Sequence, residues 1–194
     1  MMDERHGRPL LYRDIQSVLA WLLQHGLDIC QSSFGNVQLM NWQSGYLEIK
    51  AQHGFNDEFL NFFARVGLAD ASACARALRR REPIIIEDVM SDDRFAPCRA
   101  IVSRAGIRAV QSTPLLSRSG ALLGIVSTHF PSCHRPDDRQ MRAIMTAAQS
   151  AADAIIWLRA STEKTDLLKS SLKLFTECWD AIERADKLLE REHS

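Results

Sequence analysis

Apolar residues in the chain first recur at helical spacing. Leu11, Ile15, Val18, Leu19, Leu22 and Leu23 share one face, and Gly26 lies where such a helix is expected to stop. The period then drops to two. "FGNVQLMN" sets Val37 and Leu39 against polar neighbours, and "YLEIKA" does the same with Leu47, Ile49 and Ala51. Trp42 to Gly45 supplies turn residues between them, so 34–51 reads as a hairpin. "FNDEFLNFFARVG" returns to helical spacing through Phe59, Phe62, Phe63 and Val66, with Gly67 as its stop. A short helix over 72–81 leads through Pro83 into "IIIED", whose three β-branched residues in a row predict a strand covered on both faces. "SDDRFAPCRAIVSRAG" reads as a loop and helix stopped by glycine. "AVQSTPLLSRSGALLGIVSTHF" reads as two strands around a Ser-Arg-Ser-Gly turn.

From Asp137 onward neither glycine nor proline occurs. A spacing that alternates three and four runs from Ile144, Ala147, Ala151, Ala154 and Leu158 through Ser161, Thr165, Leu168, Leu172, Phe175, Trp179, Ile182, Asp186 and Leu189. That is a coiled-coil seam, and its phase never slips, which favours a single long helix. About 50 residues at 1.5 Å each reach roughly 75 Å. Ser161 and Thr165 weaken the seam, and "ASTEKTD" has the make-up of a new helix cap, so a helical hairpin folding back on the domain is the rival arrangement. Leu168, Leu172, Phe175, Trp179, Ile182 and Leu189 form a stripe too apolar to leave in water, which predicts a homodimer through this helix.

Composition narrows the partners. Among 194 residues, 46% are hydrophobic and 25% charged, and 24 Lys and Arg balance 24 Asp and Glu. A formal charge of zero gives no electrostatic footprint for nucleic acid or an anionic membrane. Arg79, Arg80 and Arg81 stand where a helix should end, and there they complement its dipole. No apolar run approaches the roughly 20 residues that cross a bilayer. "MMDERHGRPLLYRD" is charged where a secretory signal is apolar, so a cytoplasmic location is expected. Five scattered cysteines fit reduced thiols in that compartment.

The apolar hairpin at 109–130 poses a chemical question. It carries Gln111, Ser112 and Thr113 in one strand and Ser127, Thr128 and His129 in the other. A buried polar group without a partner costs roughly 1–3 kcal/mol, so these six must bond one another or face something polar. Parity puts Leu123, Ile125, Ser127 and His129 on one face of the last strand, and Gln111 and Thr113 on one face of its neighbour.

Helices inserted into an antiparallel sheet make the class α+β. The order of elements resembles the GAF family of small-molecule sensor domains. The likeness is carried by "FGNVQLMN", "HGFNDEFLNFF", "SACARAL", "IIIEDVMSDDRF", "GIRAVQSTPLLSRSGALLGIVSTHF" and "AADAIIWL". It covers 10–158 and leaves 1–9 as an N-terminal tail and 159–194 as a C-terminal helical extension. The resemblance implies a curved antiparallel sheet packed on one face by the first and last helices. The other face, roofed by the intervening helices and loops, would hold a ligand pocket. It also implies terminal helices that pair in dimers and act on a signalling partner. No kinase signature, glycine-rich phosphate loop or helix-turn-helix follows, so a free-standing module, or an input to a separate chain, is expected.

On this reading Gln111, Thr113, Ser127 and His129 line one cavity wall, and the "DDRF" loop roofs it with Arg94 for an anion and Phe95 for a flat or apolar group. Cys74 is placed with them. His129, with an ordinary pKa near 6.5, is also a candidate reporter of protonation, set against a plainly structural core histidine. The ligand is an unidentified small molecule, and no cofactor is specified.

Cys74 and Cys98 resemble the pair of a GAF subfamily that reduces free methionine sulfoxide, a reaction needing an attacking thiolate and a second thiol in reach. The likeness breaks elsewhere. The subfamily has acidic residues where Ser127 and His129 stand, glycines where "ADASACARAL" has alanines, and a further cysteine without a counterpart in "EFLNFFARVG". Cys133-His134 matches the dipeptide of bilin-attaching relatives but lies beyond the last strand between Pro131 and Pro136, and no metal-ligand set accompanies it. The sequence therefore reads as a non-catalytic sensor, with the thiol enzyme and a ligand-free interaction scaffold as alternatives.

Overall fold

The computed structural model describes residues 14–192, with side chains to Glu177 except Phe175. Helix α1 (Ile15–Cys30) starts at Asp14, whose carboxylate accepts the Ser17 N–H at 2.8 Å, and ends at Gln31 in the left-handed region. Gly26 does not stop it. A Cβ there would meet Ile144 Cδ1 at 3.1 Å, so glycine permits close helix packing rather than termination.

Strands β1 (Phe34–Asn41) and β2 (Tyr46–His53) form the expected hairpin. The next segment departs from its periodicity. Helix α2 (Asp57–Phe62) covers only its first part, and Arg65–Gly67 is a strand, β3, paired with β2 through Leu47 and Val66. The open edge of β2 supplies hydrogen bonds that outweigh another helical turn. Helix α3 (Ala73–Arg80) is capped by Ser72, and β4 (Ile84–Ile86) follows. β4 is an edge strand with Ile85 only half-buried, so its apolar run does not mean cover on both faces. A 3-10 turn (Asp93–Cys98) and α4 (Arg99–Arg104) precede β5 (Ala109–Leu116) and β6 (Leu122–Phe130). Helix α5 runs unbroken over Asp138–Glu192.

The six strands make one antiparallel sheet in the order β3-β2-β1-β6-β5-β4. Gly124 of β6 is needed at the β1 bulge after Val37, since a Cβ would lie 2.0 Å from the Gln38 carbonyl oxygen. One face of the sheet carries α1 and the start of α5; Gly26, Val126, Thr128 and Ile144 meet there. The other carries α2, α3 and α4 over a core that includes Phe59, Phe95, Val102, Val110 and Ile125. This is the α+β arrangement expected.

The chain divides into two compact units between Ile155 and Ile156. The second is helical throughout its described residues, and Leu167, Leu168, Leu172 and Leu174 are all largely exposed in it. The side chains of Phe175, Trp179, Ile182 and Leu189 lie outside the described residues. No helix among the described residues is long and apolar enough to cross a membrane.

Candidate functional site

All six polar residues of the β5–β6 hairpin are buried. The register sorts them. Gln111 pairs with Thr128, Ser112 with Ser127 and Thr113 with Val126. Residues directly opposite in an antiparallel pair share a face, so two groups form on opposite sides of the sheet.

Gln111, Thr113 and Thr128 face α1. Gln111 Nε2 donates to Thr113 Oγ1 at 3.0 Å, and Cys30 of α1 donates its thiol to Gln111 Oε1 at 3.6 Å. Gln111 and Thr113 are therefore tied off beneath a helix, not placed on the wall with Ser127 and His129 as the sequence suggested. Parity within each strand was right, and the phase between the strands was not.

Ser112, Ser127 and His129 face the other way, toward α3 and the 3-10 turn. They line a cavity of about 20 Å³, completed by Asn36 and Gln38 of β1, Phe59, Cys74 and Phe95 among others. The Ser112 and Ser127 hydroxyls are 2.7 Å apart. Asn36 Oδ1, both side-chain atoms of Gln38 and His129 Nδ1 are buried without a partner among the described residues. Four orphaned polar atoms around so small a space is an unusual concentration, since buried polar atoms are nearly always paired. A cavity of this size holds about one water, which needs 2–4 polar partners.

Among the described residues, no Asp, Glu, Lys or Arg lines the cavity. His129 does not supply a charge either. It is enclosed by protein, with its ring edge-on to Phe55 at 5.0 Å and Phe59 at 5.7 Å between centroids. Burial pushes its pKa down to about 3, so it is neutral across the physiological range and does not report protonation there. The interior is polar, aromatic and uncharged.

Ser112, Asn36 and Gln38 were absent from the sequence-derived site. Alternation marks Val37 and Leu39 as the apolar β1 positions and assigns no role to their polar neighbours Asn36 and Gln38. The signal lay in the sheet order, because β1 sits centrally beside β6 and both of its faces are covered.

Phe95 lines the cavity from the 3-10 turn, where it is buried. Arg94, next to it, does not enter; its side chain lies in a surface groove with Arg76, Arg79 and Arg80. The roof is fastened from α3. Arg76 donates to the Asp92 carboxylate at 2.6 Å, and the other Asp92 oxygen accepts the Arg94 backbone N–H at 2.9 Å. Partial burial works to raise the Asp92 pKa, but the Arg76 hydrogen bond and charge outweigh it and hold the carboxyl below its ordinary value.

Cys74 lines the cavity with its sulfur 3.2 Å from the Ser72 hydroxyl. Cys98 lines a separate cleft of about 180 Å³ with Phe62, Asp70 and Pro97. Both are free thiols. Burial raises the Cys74 pKa despite the Ser72 hydrogen bond. Burial, then the nearness of Cys74 and Asp70, raises that of Cys98 to about 11.

Comparison with known proteins agrees with this architecture. A methyl sulfide methyltransferase-associated sensor of Methanosarcina acetivorans is 29% identical over 109 residues, covering 56% of this chain. The match spans only 10% of that much longer protein. The GAF domain of a phosphoenolpyruvate-protein phosphotransferase from Coxiella burnetii superposes with a TM-score of 0.65 at 16% identity. The match covers 79% of this chain and 89% of that one. A free methionine-R-sulfoxide reductase from Neisseria meningitidis, solved with its substrate, gives 0.56 at 14% identity, covering 76% and 87%. The family model for the GAF domain matches residues 13–156, and with the sheet order and helix placement it shows that this chain belongs to the GAF domain family.

Proposed function

We propose that this chain is a non-catalytic regulatory module that senses a small neutral molecule between its sheet and roof and dimerises through its C-terminal helix. The observation that carries the reading is the set of unpartnered atoms on Asn36, Gln38 and His129 around an uncharged aromatic cavity. Such a site suits a ligand with at least one donor and one acceptor and a flat or apolar portion against Phe59 and Phe95. A net charge on the ligand would go uncompensated there, at heavy desolvation cost.

About 20 Å³ is too little for anything larger than water, so a ligand must lift the roof formed by α3 and the 3-10 turn. It shifts that equilibrium only by its difference in affinity for the two states. β6 ends at Phe130 and α5 begins at Asp138, so the ligand wall has a short covalent route into the terminal helix. The sensor named among the relatives supports a signalling role.

Thiol reductase chemistry is the second reading, prompted by the fold shared with the Neisseria enzyme and by Cys74 at the cavity. Two thiols pushed away from thiolate weigh against it, because the thiolate is the attacking form.

Native mass spectrometry of the full chain, compared with denaturing conditions, tests the main reading. The expected result is a non-covalent adduct of a neutral small molecule that disappears on denaturation and is reduced in Gln38→Leu. Protein that never carries an adduct, with thermal stability unmoved by a panel of neutral heteroaromatic amides, would sink it. Consumption of free methionine sulfoxide with a thioredoxin system, lost in Cys98→Ser, would favour the enzyme instead.

A further inference from the structure

The cavity leaves unused a group of arginines on the outer side of α3. Arg76, Arg79 and Arg80 stand three and four residues apart and so share one helix face. With Arg94 of the 3-10 turn they line a surface groove of about 370 Å³. Every Lys or Arg position between residues 51 and 163 is arginine, so this groove offers planar forks rather than point charges.

Helix termination explains only part of the cluster. Arg81 turns away to the Gly120 carbonyl oxygen. Arg79 donates to the Leu68 and Asp70 carbonyls through one nitrogen. Arg80 reaches Glu82 at a loose 3.4 Å, and Arg76 gives one nitrogen to Asp92. The Arg94 guanidinium has no partner among the described residues. Four guanidiniums meet one lining carboxylate, that of Asp70, which already accepts the Gly67 N–H at 2.8 Å.

We propose that this groove is a phosphate-binding site that takes a small molecule bearing a pyrophosphate or comparable multi-oxygen phosphate group. Guanidinium forks match phosphate oxygens in pairs, and the forks of Arg80, held only loosely by Glu82, and of Arg94 leave several donors for a multi-oxygen group. The groove volume admits a small molecule. This site lies on the outer side of α3, and its assignment does not depend on the sensing role of the cavity. The two meet at Arg76, whose hydrogen bond to Asp92 fastens the roof, so an anion drawing on Arg76 would compete with that fastening.

Calorimetric titration of the full chain with sodium pyrophosphate at low ionic strength tests it. Saturable one-to-one binding is expected, weakened about tenfold or more in Arg80→Gln/Arg94→Gln by loss of charge-assisted hydrogen bonds. Arg118→Gln removes one exposed charge elsewhere, the match for Arg94→Gln alone, and should leave the affinity unchanged. Citrate, of similar charge but different geometry, should bind more weakly. No saturable heat, an equal loss in Arg118→Gln, or citrate binding as tightly as pyrophosphate would overturn the proposal. Arg94→Gln alone, at a residue whose side chain holds nothing in the fold, serves if the double variant is destabilised.

Discussion

Two side-chain groups in the cavity wall have energetics that can be isolated. Ser112 and Ser127 satisfy each other across β5 and β6. Replacing either with alanine strands the other hydroxyl in a buried site, and each single variant should lose about 1–3 kcal/mol in urea unfolding. The double alanine variant should lose clearly less than the sum, because it removes donor and acceptor together. His129 makes stability depend on pH. Its folded pKa is pushed down to about 3 by burial, whereas the unfolded imidazole protonates near its ordinary value of 6.5. Between those values the unfolded chain binds more protons, so the His129 contribution is fully present above 6.5 and is lost as pH falls toward 3. The slope should approach 1.4 kcal/mol per pH unit. Urea midpoints from pH 8 to 4.5 should show it, and His129→Phe should flatten it; Asp88, held at about 2 by its Arg108 hydrogen bonds, acts only at more acid pH. The sequence made the pairing of Ser127 with His129 legible, because alternation within one strand is fixed. It could not show that Ser112, rather than Gln111 and Thr113, stands with them. That depends on how the Ser117–Gly120 turn and the irregularity at Leu115 and Leu116 set one strand against the other.

At the scale of elements, most of the fold was written in periodicity, and the exceptions have tertiary causes. Gly26 and Gly67 both looked like helix stops; one admits the Ile144 side chain and the other pairs with Tyr46 in a strand. Neither role is visible locally, since each depends on a partner distant in sequence. Gly124 is the sharper case. An alanine Cβ would overlap backbone of β1 that cannot swing aside, so Gly124→Ala should lose on the order of 3 kcal/mol. Gly45→Ala, in open space but at φ 77°, should lose only about 1 kcal/mol in the same melts. The roof makes a different prediction. Arg76→Gln removes the charge that fastens Asp92 to α3, so amide exchange over 93–98 should quicken roughly tenfold while β5 and β6 stay protected. Unchanged exchange there would mean that Arg99, which bonds the Val89 and Asp92 carbonyls, holds the turn by itself.

At the scale of the molecule, the polarity of the distal helix decides what it can be. Leu167, Leu168, Leu172 and Leu174 fall within one broad face and are each more than 60% exposed, while Asp166, Lys169 and Lys173 occupy the opposite side. Each such leucine is worth roughly 1.5–3 kcal/mol when buried. A symmetric pair of helices covers Leu168 and Leu172 twice over, a sum comparable with the estimated 4–15 kcal/mol cost of bringing two chains together. The seam residues alone thus sit near the threshold for association, and the wider leucine face tips the balance. Sedimentation of the full chain at micromolar concentration should give a species of twice the 21.9 kDa monomer mass. Leu168→Asp/Leu172→Asp should return it to the monomer. The thermal midpoint of the sheet-containing unit should not move, since both positions lie beyond Ile155 and outside its core. A wild-type chain that is already monomeric would remove the symmetric pairing and assign the leucine face to a helix of different sequence. A variant that lost dimer and domain stability together would instead tie the distal helix to the folding of the sheet.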